Sequence, residues 1–195
     1  MIQERLKELR AQMQERGIDI YIVPTSDFHQ SEYVGEYFKA RKYMTGFTGS
    51  AGTAVITKEE AGLWTDGRYF IQAEKQLEGS TVKLFKMGEE GVPKVEEYVK
   101  DHLTEGSCIG FDGRVMDAKS GEKYAKMAEE KKAALYVKED LVGNIWKDRP
   151  QLPANKVWIL EDAYAGRSMA DKIADVRTQM QKEGADIHIL SSLYD

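Results

Sequence analysis

The residues best suited to chemistry lie in the segment TDGRYF, residues 65–70. Its arginine, Arg68, follows a predicted strand and precedes two aromatic residues. A guanidinium beside aromatic rings suits a planar ligand that carries a charge or a carbonyl group. The same arginine fits equally well as the partner of Asp27 or Asp66 in a structural ion pair, so both interpretations stay open.

Asp27 and His29 are a second candidate pair, two residues apart on one side of an extended segment. A carboxylate and an imidazole could hold a metal ion, but a metallohydrolase needs further ligands at the same point. The 3 histidines of the chain are far apart, and no HExxH or CxxC spacing is present. The alternative is a loop histidine that is hydrogen-bonded to the backbone.

Nucleophilic catalysis and phosphate binding find little support. Ser50 precedes a predicted strand and so lacks the strand–turn–helix context of a GxSxG elbow. Cys108 falls inside a predicted strand, where a buried, inert thiol is expected. The glycines at positions 46, 49 and 52 suggest a phosphate loop, but no Gly-Lys-Ser/Thr sequence follows them. Tight loop conformations explain these glycines more simply.

The composition is that of a globular protein. Hydrophobic residues make up 42% of the chain and charged residues 31%, which is enough to build a core. The net charge is −5 and the basic residues are interleaved with acidic ones, whereas nucleic-acid binding needs a basic face. No export signal or membrane span is visible, and a lone Cys108 cannot form an internal disulfide. We therefore expect a cytoplasmic location and no nucleic-acid or membrane partner.

Helical and extended patterns alternate through residues 1–140. Leu6, Leu9 and Met13 form an apolar stripe that predicts a surface helix over residues 2–16, followed by a strand. Next comes a hairpin pattern, in which residues 53–57 pair with residues 63–65. The alternation around one hairpin predicts an α/β fold with three layers, α/β/α, and a mixed sheet. The predicted strands are 18–25, 53–57, 63–65, 81–87, 107–113 and 134–140, and the later helices are 68–79, 92–103 with Pro93 in its first turn, and 117–133.

Residues 172–192 repeat the pattern of residues 5–25. The match includes polar residues, such as Gln12 with Gln179, that an apolar period does not require. Any amphipathic helix that ends in glycine before a strand would look partly alike, and that alternative remains.

Proline and charge gather in residues 147–156. The predicted organisation is a domain at 1–147, a linker at 148–170 and the start of a second, homologous domain at 171–195. A lone helix and strand cannot form a core, so the second copy is expected to continue past Asp195.

Four segments resemble a known family: IDIYIVPTSDFHQSEYV, MTGFTGSAGTAVIT, LWTDGRYFIQA and LVGNIWKDRPQLP. In this order and spacing they are similar to the first domain of the three-domain, cytosolic-type Xaa-Pro aminopeptidases, which are related to creatinase and prolidase. The resemblance covers essentially the whole chain. It also explains the repeat, because the first two domains of that family share the creatinase/prolidase N-terminal fold.

The resemblance implies a metallopeptidase that removes an N-terminal residue preceding proline. Two divalent metal ions, usually manganese, would lie in a C-terminal domain, held by two aspartates, one histidine and two glutamates. None of those positions lies in this sequence. The chain is therefore expected to be a non-catalytic N-terminal domain, inactive alone and without a metal or cofactor. It would help to shape the entrance for proline-containing peptides and a homodimer.

By the same resemblance, Arg68 matches an arginine that reaches toward the substrate, and His29, Phe47 and Thr48 are further candidates for lining the entrance. No residue of the chain is assigned as catalytic. The competing hypothesis is a stand-alone binding or structural module of the same fold, since fold does not fix function. The reading frame beyond Asp195 separates the two hypotheses.

Overall fold

The computed structural model describes residues 1–191, which form two compact units. The first unit runs from Met1 to Gln151 and the second begins at Leu152. No helix in the described part of the chain is long and apolar enough to cross a membrane. The first unit contains α1 Ile2–Glu15, β1 Ile20–Pro24, a 3-10 helix Glu36–Phe38, α2 Ala40–Thr45, β2 Thr53–Thr57, β3 Ala61–Thr65, α3 Phe70–Leu77, β4 Lys83–Lys86, α4 Val95–His102, β5 Cys108–Phe111, α5 Ala118–Glu130, β6 Ala134–Tyr136 and α6 Leu141–Ile145.

The strands of the first unit form one sheet in the order β4-β3-β2-β1-β5-β6. Strand β2 runs antiparallel to both of its neighbours, and every other pair is parallel. The predicted hairpin is the β2–β3 pair, in which Val55 lies opposite Gly62. The prediction of a mixed sheet is therefore confirmed.

Helices cover both faces of this sheet. Successive residues of a strand face opposite sides, so Tyr21 and Val23 of β1 join one core while Ile20 and Ile22 join the other. Helices α1, α2, α3 and α6 contribute to the first core, and α4 and α5 to the second. This arrangement is the predicted three-layer α/β/α fold.

Helix α1 shows how sequence period becomes packing. Leu6, Leu9 and Met13 are each at most 1% exposed, whereas most of the residues between them are charged or polar and face outward. Burying one such leucine side chain stabilises the fold by about 1.5–3 kcal/mol. Gly17 follows the helix at a φ of 65°, a left-handed conformation that suits glycine.

Three features differ from the sequence prediction. Helices α2 and α6 are absent from it, because 6 and 5 residues are too few to show a period. Helix α6 instead begins where the Asp140 carboxylate accepts the backbone N–H of Gly143 at 2.8 Å. Pro93 lies before α4 rather than in its first turn, and its carbonyl accepts the Trp64 indole N–H at 2.8 Å.

The second unit contains α7 Asp162–Ala165 and α8 Met169–Glu183. The Ser168 hydroxyl accepts the Asp171 N–H at 3.1 Å, and Gly184 ends α8 at a φ of 65°. The predicted helix of the repeat is therefore present. Residues 157–160 and 185–191, both strand-like in sequence, form no strand in the described chain, because a strand needs a hydrogen-bonded neighbour. Residue 192 of the repeat lies outside the described residues.

Candidate functional site

Three loops meet at one edge of the sheet. Parallel strands β1 and β3 both end there, and antiparallel β2 begins there, so β1, β2 and β3 present neighbouring loops. Loop 25–31 follows β1, loop 46–52 precedes β2, and loop 66–69 follows β3. All four predicted site residues lie in these loops.

Arg68 is held in an outward position by its own loop. Its Nε donates to Oδ1 of Asp66 and its Nη2 to Oδ2, both at 2.8 Å. This paired contact raises the pKa of Arg68 and holds the pKa of Asp66 below its usual value. The side chain is still 69% exposed. Of the two predicted structural partners, the fold supplies Asp66, and Nη1 remains available to a ligand.

Tyr69 connects this arginine to loop 46–52. Its hydroxyl lies 2.6 Å from Oγ of Ser50, and this hydrogen bond lowers the pKa of Tyr69. The Arg68 guanidinium carbon lies 5.2 Å from the centre of the Tyr69 ring. The Phe47 ring makes a T-shaped contact with the Tyr69 ring at 5.8 Å between centroids. Loops 46–52 and 66–69 therefore form one contact surface.

Thr48 is fixed from helix α3. Its backbone N–H donates to Oε1 of Gln76 at 2.8 Å, and its hydroxyl accepts Nε2 of Gln72 and of Gln76, each at 2.9 Å. Phe47 beside it is fully buried, at 0% exposure. Thr48 thus presents an exposed, oriented hydroxyl, whereas Phe47, expected to line the entrance, is buried and supports the loop from inside.

Arg41 of helix α2 holds loop 46–52 from inside the protein. It is 4% exposed, and its Nη1 donates to the Phe47 carbonyl at 2.6 Å while its Nη2 donates to the Gly49 carbonyl. Its Nε donates to Oγ1 of Thr25 at 3.0 Å. Burial lowers the pKa of Arg41 to about 10, because the charged form loses its hydration.

Loop 25–31 places Asp27 and His29 differently from a metal pair. The Asp27 carboxylate is buried and its Oδ1 accepts the backbone N–H groups of His29 at 2.9 Å and Ser31 at 3.0 Å. Burial alone would raise the pKa of Asp27, but these hydrogen bonds lower it overall. His29 is exposed. Among residues 1–191, no three His, Cys, Asp or Glu side chains converge as metal ligands would.

The structure joins some of the predicted residues and separates others. Thr48 lies on the loop that Tyr69 connects to Arg68, and Phe47 contacts Tyr69 from a buried position, whereas no hydrogen bond or ring contact links His29 to Arg68 within residues 1–191. Cys108 is buried as predicted, and burial raises the pKa of its thiol. The Ser50 hydroxyl is hydrogen-bonded to the Tyr69 hydroxyl, and no hydrogen bond within residues 1–191 joins Ser50 to a histidine.

Sequence reasoning missed two elements of this edge. Arg41 lies in a short helix without a visible period, so nothing marked it as buried. The tripeptide Asp-Gly-Arg occurs a second time, at residues 112–114, after strand β5. That repetition was visible in the sequence and could have revealed a second loop of the same kind.

The sequence model of the Creatinase/Prolidase N-terminal domain matches residues 5–139, and a second model with the same description matches residues 148–195. The first match alone covers more than half of the chain, which shows the family. The resemblance drawn from the four segments is confirmed.

Curated relatives match along the whole chain. Aminopeptidase P2 of Arabidopsis thaliana is 41% identical over 99% of this chain and 28% of its own length. A probable Xaa-Pro aminopeptidase P of Pyrenophora teres f. teres is 44% identical over 97% of this chain and 29% of its own. The chain therefore spans less than a third of either relative.

Solved structures agree on the fold. The X-prolyl aminopeptidase of Caenorhabditis elegans, described as a cytosolic enzyme with a di-nuclear active site, superimposes with a TM-score of 0.85 and 32% identity. That alignment covers 95% of this chain and 32% of the nematode protein. The Xaa-Pro dipeptidase of Bacillus anthracis gives a TM-score of 0.51 and 26% identity over 73% of this chain and 35% of its own.

Proposed function

The chain belongs to the Creatinase/Prolidase N-terminal domain family, and from that premise we propose that it is the non-catalytic first domain of an Xaa-Pro aminopeptidase. The observation that carries the proposal is the match to such enzymes over 97–99% of this chain but only 28–29% of theirs. The parent protein removes an N-terminal residue preceding proline from peptides. Its catalytic machinery lies in the remaining part of the polypeptide.

The proposed catalytic part holds two divalent metal ions, with manganese as the expected metal. The di-nuclear active site named for the nematode relative supports this number. When bound, such a pair would supply activation of water and polarisation of the peptide carbonyl. A cytosolic location agrees with the description of the same relative, and a homodimer is part of the proposal. A linker at 148–170 and a second domain that begins at 171 are also part of the proposal; the second match, at residues 148–195, supports a second domain of the same family in this part of the chain.

Arg68 is the proposed contact of this domain with peptide. Two of its nitrogen atoms bind Asp66, which fixes the direction of the guanidinium and leaves Nη1 to donate to a peptide carbonyl or carboxylate. Thr48 offers an oriented hydroxyl on the same surface. His29 lies on a neighbouring loop and would line the entrance from its other side, while Phe47 supports the backbone of its loop.

Steady-state kinetics of the complete protein test this role of Arg68. Arg68→Ala should lower kcat/KM for an Xaa-Pro peptide by about tenfold or more with little change in stability. Arg114→Ala is the matched control, because Arg114 occupies the same tripeptide in a different loop. Equal kinetics in the two variants, or a loss explained by lower thermal stability of Arg68→Ala, would contradict the proposal.

Inactivity of the N-terminal part is tested separately. Residues 1–195 are incubated with manganese and an Xaa-Pro peptide, and release of the N-terminal residue is measured. We expect no hydrolysis above the metal blank. Turnover at the rate of the complete enzyme would refute the non-catalytic assignment while leaving the family membership intact.

A further inference from the structure

A pocket of about 130 Å³ with a mixed apolar and charged lining lies between helix α2, loop 46–52 and the segment around Glu32. It is large enough for several water molecules. Phe38 supplies an apolar part of its wall. Its charged lining residues are Glu32, Lys39, Arg41 and Lys42, and the hydroxyls of Thr48 and Ser50 border it.

Arg41 brings unused hydrogen-bond donors to this pocket. A guanidinium has five N–H groups. Three of those of Arg41 donate to Thr25, Phe47 and Gly49, and none of its hydrogen bonds within residues 1–191 uses the second N–H of either Nη. A buried donor without an acceptor is destabilising, and a ligand oxygen in the pocket would relieve that penalty.

The charge of Arg41 is also unbalanced. Its partners are carbonyl and hydroxyl oxygens, and no carboxylate forms an ion pair with it in the described chain. Lys42 adds a second positive charge at the pocket, again without an ion pair among the described residues. Glu32 lines the pocket from an exposed position. Lys39, which pairs with Glu36, also lines the pocket, so three cations face one exposed acid.

We propose that this pocket binds a small carboxylate, whose oxygens accept the free N–H groups of Arg41. The two Nη atoms of a guanidinium match the two oxygens of a carboxylate. The exposed hydroxyls of Thr48 and Ser50 border the same space, and the Phe38 ring packs against the carbon atoms of the ligand. Burial lowers the pKa of Arg41 to about 10 because the charged form loses its hydration, and an anion in the pocket would counteract that loss.

The assignment does not depend on peptidase activity, because binding is measured on the 195-residue chain. Acetate replaces chloride at constant ionic strength while the Arg41 Nε–H and Gly49 amide signals are followed by NMR. Acetamide, of the same shape but neutral, is the control probe. We expect a saturable shift with acetate in the millimolar range and none with acetamide. A linear response, or equal shifts with both probes, would overturn the proposal.

A third probe distinguishes two sources of the carboxylate. N-acetylglycine carries the end of a peptide chain, whereas acetate represents a free small acid. If N-acetylglycine binds at least about fivefold tighter than acetate, the pocket is assigned to a chain terminus. A fivefold difference in affinity corresponds to about 1 kcal/mol of binding free energy. Equal or weaker binding assigns it to a small free acid. Failure of both probes to saturate refutes the site.

Two surface variants keep the test independent of folding. Lys42→Gln removes a positive charge and should weaken acetate binding by about three- to tenfold. Glu32→Gln removes the competing carboxylate and should strengthen it by about two- to fivefold. Both residues are exposed, so neither variant should disturb the fold. Opposite or absent changes in this pair would show that acetate binds elsewhere.

Discussion

Two loops of the first unit share the tripeptide Asp-Gly-Arg and nearly the same geometry. In residues 66–68 the arginine Nε and Nη2 each lie 2.8 Å from the aspartate oxygens. In residues 112–114 the corresponding distances are 3.0 and 2.9 Å. The backbone N–H of each arginine also donates to the same aspartate, at 3.1 and 3.0 Å. The local sequence therefore determines the loop conformation in both places.

The surroundings of the two loops differ. Arg68 has Asp66 as its carboxylate partner, whereas Arg114 also lies 3.5 Å from Asp140 and over the Phe28 ring at 5.5 Å. Asp112 is 9% exposed, while Asp66 is only partly buried. The same motif thus serves two purposes. The copy with the buried aspartate stabilises the junction of loops 25–31 and 137–140, and the copy at 66–68 leaves its arginine available to a ligand.

The largest difference is expected at the central glycines. A Cβ atom on Gly113 would lie 2.8 Å from the Val137 carbonyl oxygen, whereas on Gly67 its nearest neighbour would be Phe70 at 3.8 Å. Gly113→Ala should lower the free energy of unfolding by about 1–3 kcal/mol. Gly67→Ala should change it by less than about 0.5 kcal/mol. Urea denaturation of the two variants measures both values.

Equal effects at the two glycines would show that the loops are equivalent despite their different surroundings. The backbone explains why that outcome is not expected. Gly113 donates its N–H to the Val137 carbonyl at 3.2 Å, so the two chain segments are already in contact there. Gly67 has no comparable contact, because the atom nearest to an added Cβ would belong to the Phe70 side chain, at 3.8 Å.

A smaller difference is expected at the aspartates. Asp112→Ala removes a buried carboxylate that accepts the Arg114 guanidinium and the Arg114 backbone N–H, which should cost about 1–2 kcal/mol of unfolding free energy. Asp66→Ala breaks an exposed pair and should cost less than about 1 kcal/mol, because water and salt screen that contact. Thermal unfolding at low and high salt separates the two. A larger loss for Asp66→Ala would contradict the assignment of roles.

Much of the fold could be predicted because burial imposes a period. The stripe of Leu6, Leu9 and Met13 predicts α1, and the sheet follows from strands bounded by glycine and charge. The short helices α2 and α6 could not be predicted. They depend on contacts with other segments, such as the hydrogen bonds from Arg41 to loop 46–52 and from the Leu141 N–H to the Tyr21 hydroxyl, rather than on a repeat of apolar residues.

The site was predictable only in part. Arg68 has a recognisable neighbourhood, and its structural partner Asp66 was among the two named from the sequence. The contact between Ser50 and Tyr69 joins residues that are 19 positions apart, and no local pattern indicates it. The burial of Arg41 depends likewise on how loop 46–52 folds back over helix α2. Non-local packing sets these features.

The smallest effect concerns the titration of Asp66. Hydrogen bonds from Arg68 hold the pKa of Asp66 below its usual value, and an unfolded aspartate titrates at about 3.9. The contact therefore stabilises the fold above about pH 4, and this contribution disappears as pH falls through the lower folded pKa. Arg68→Ala should move the pKa of Asp66 back toward about 3.9, whereas Arg114→Ala should leave it unchanged. Carbon-13 NMR of the Asp66 carboxyl measures this directly, and an unchanged titration in Arg68→Ala would mean that the Arg68 backbone N–H sets the pKa instead.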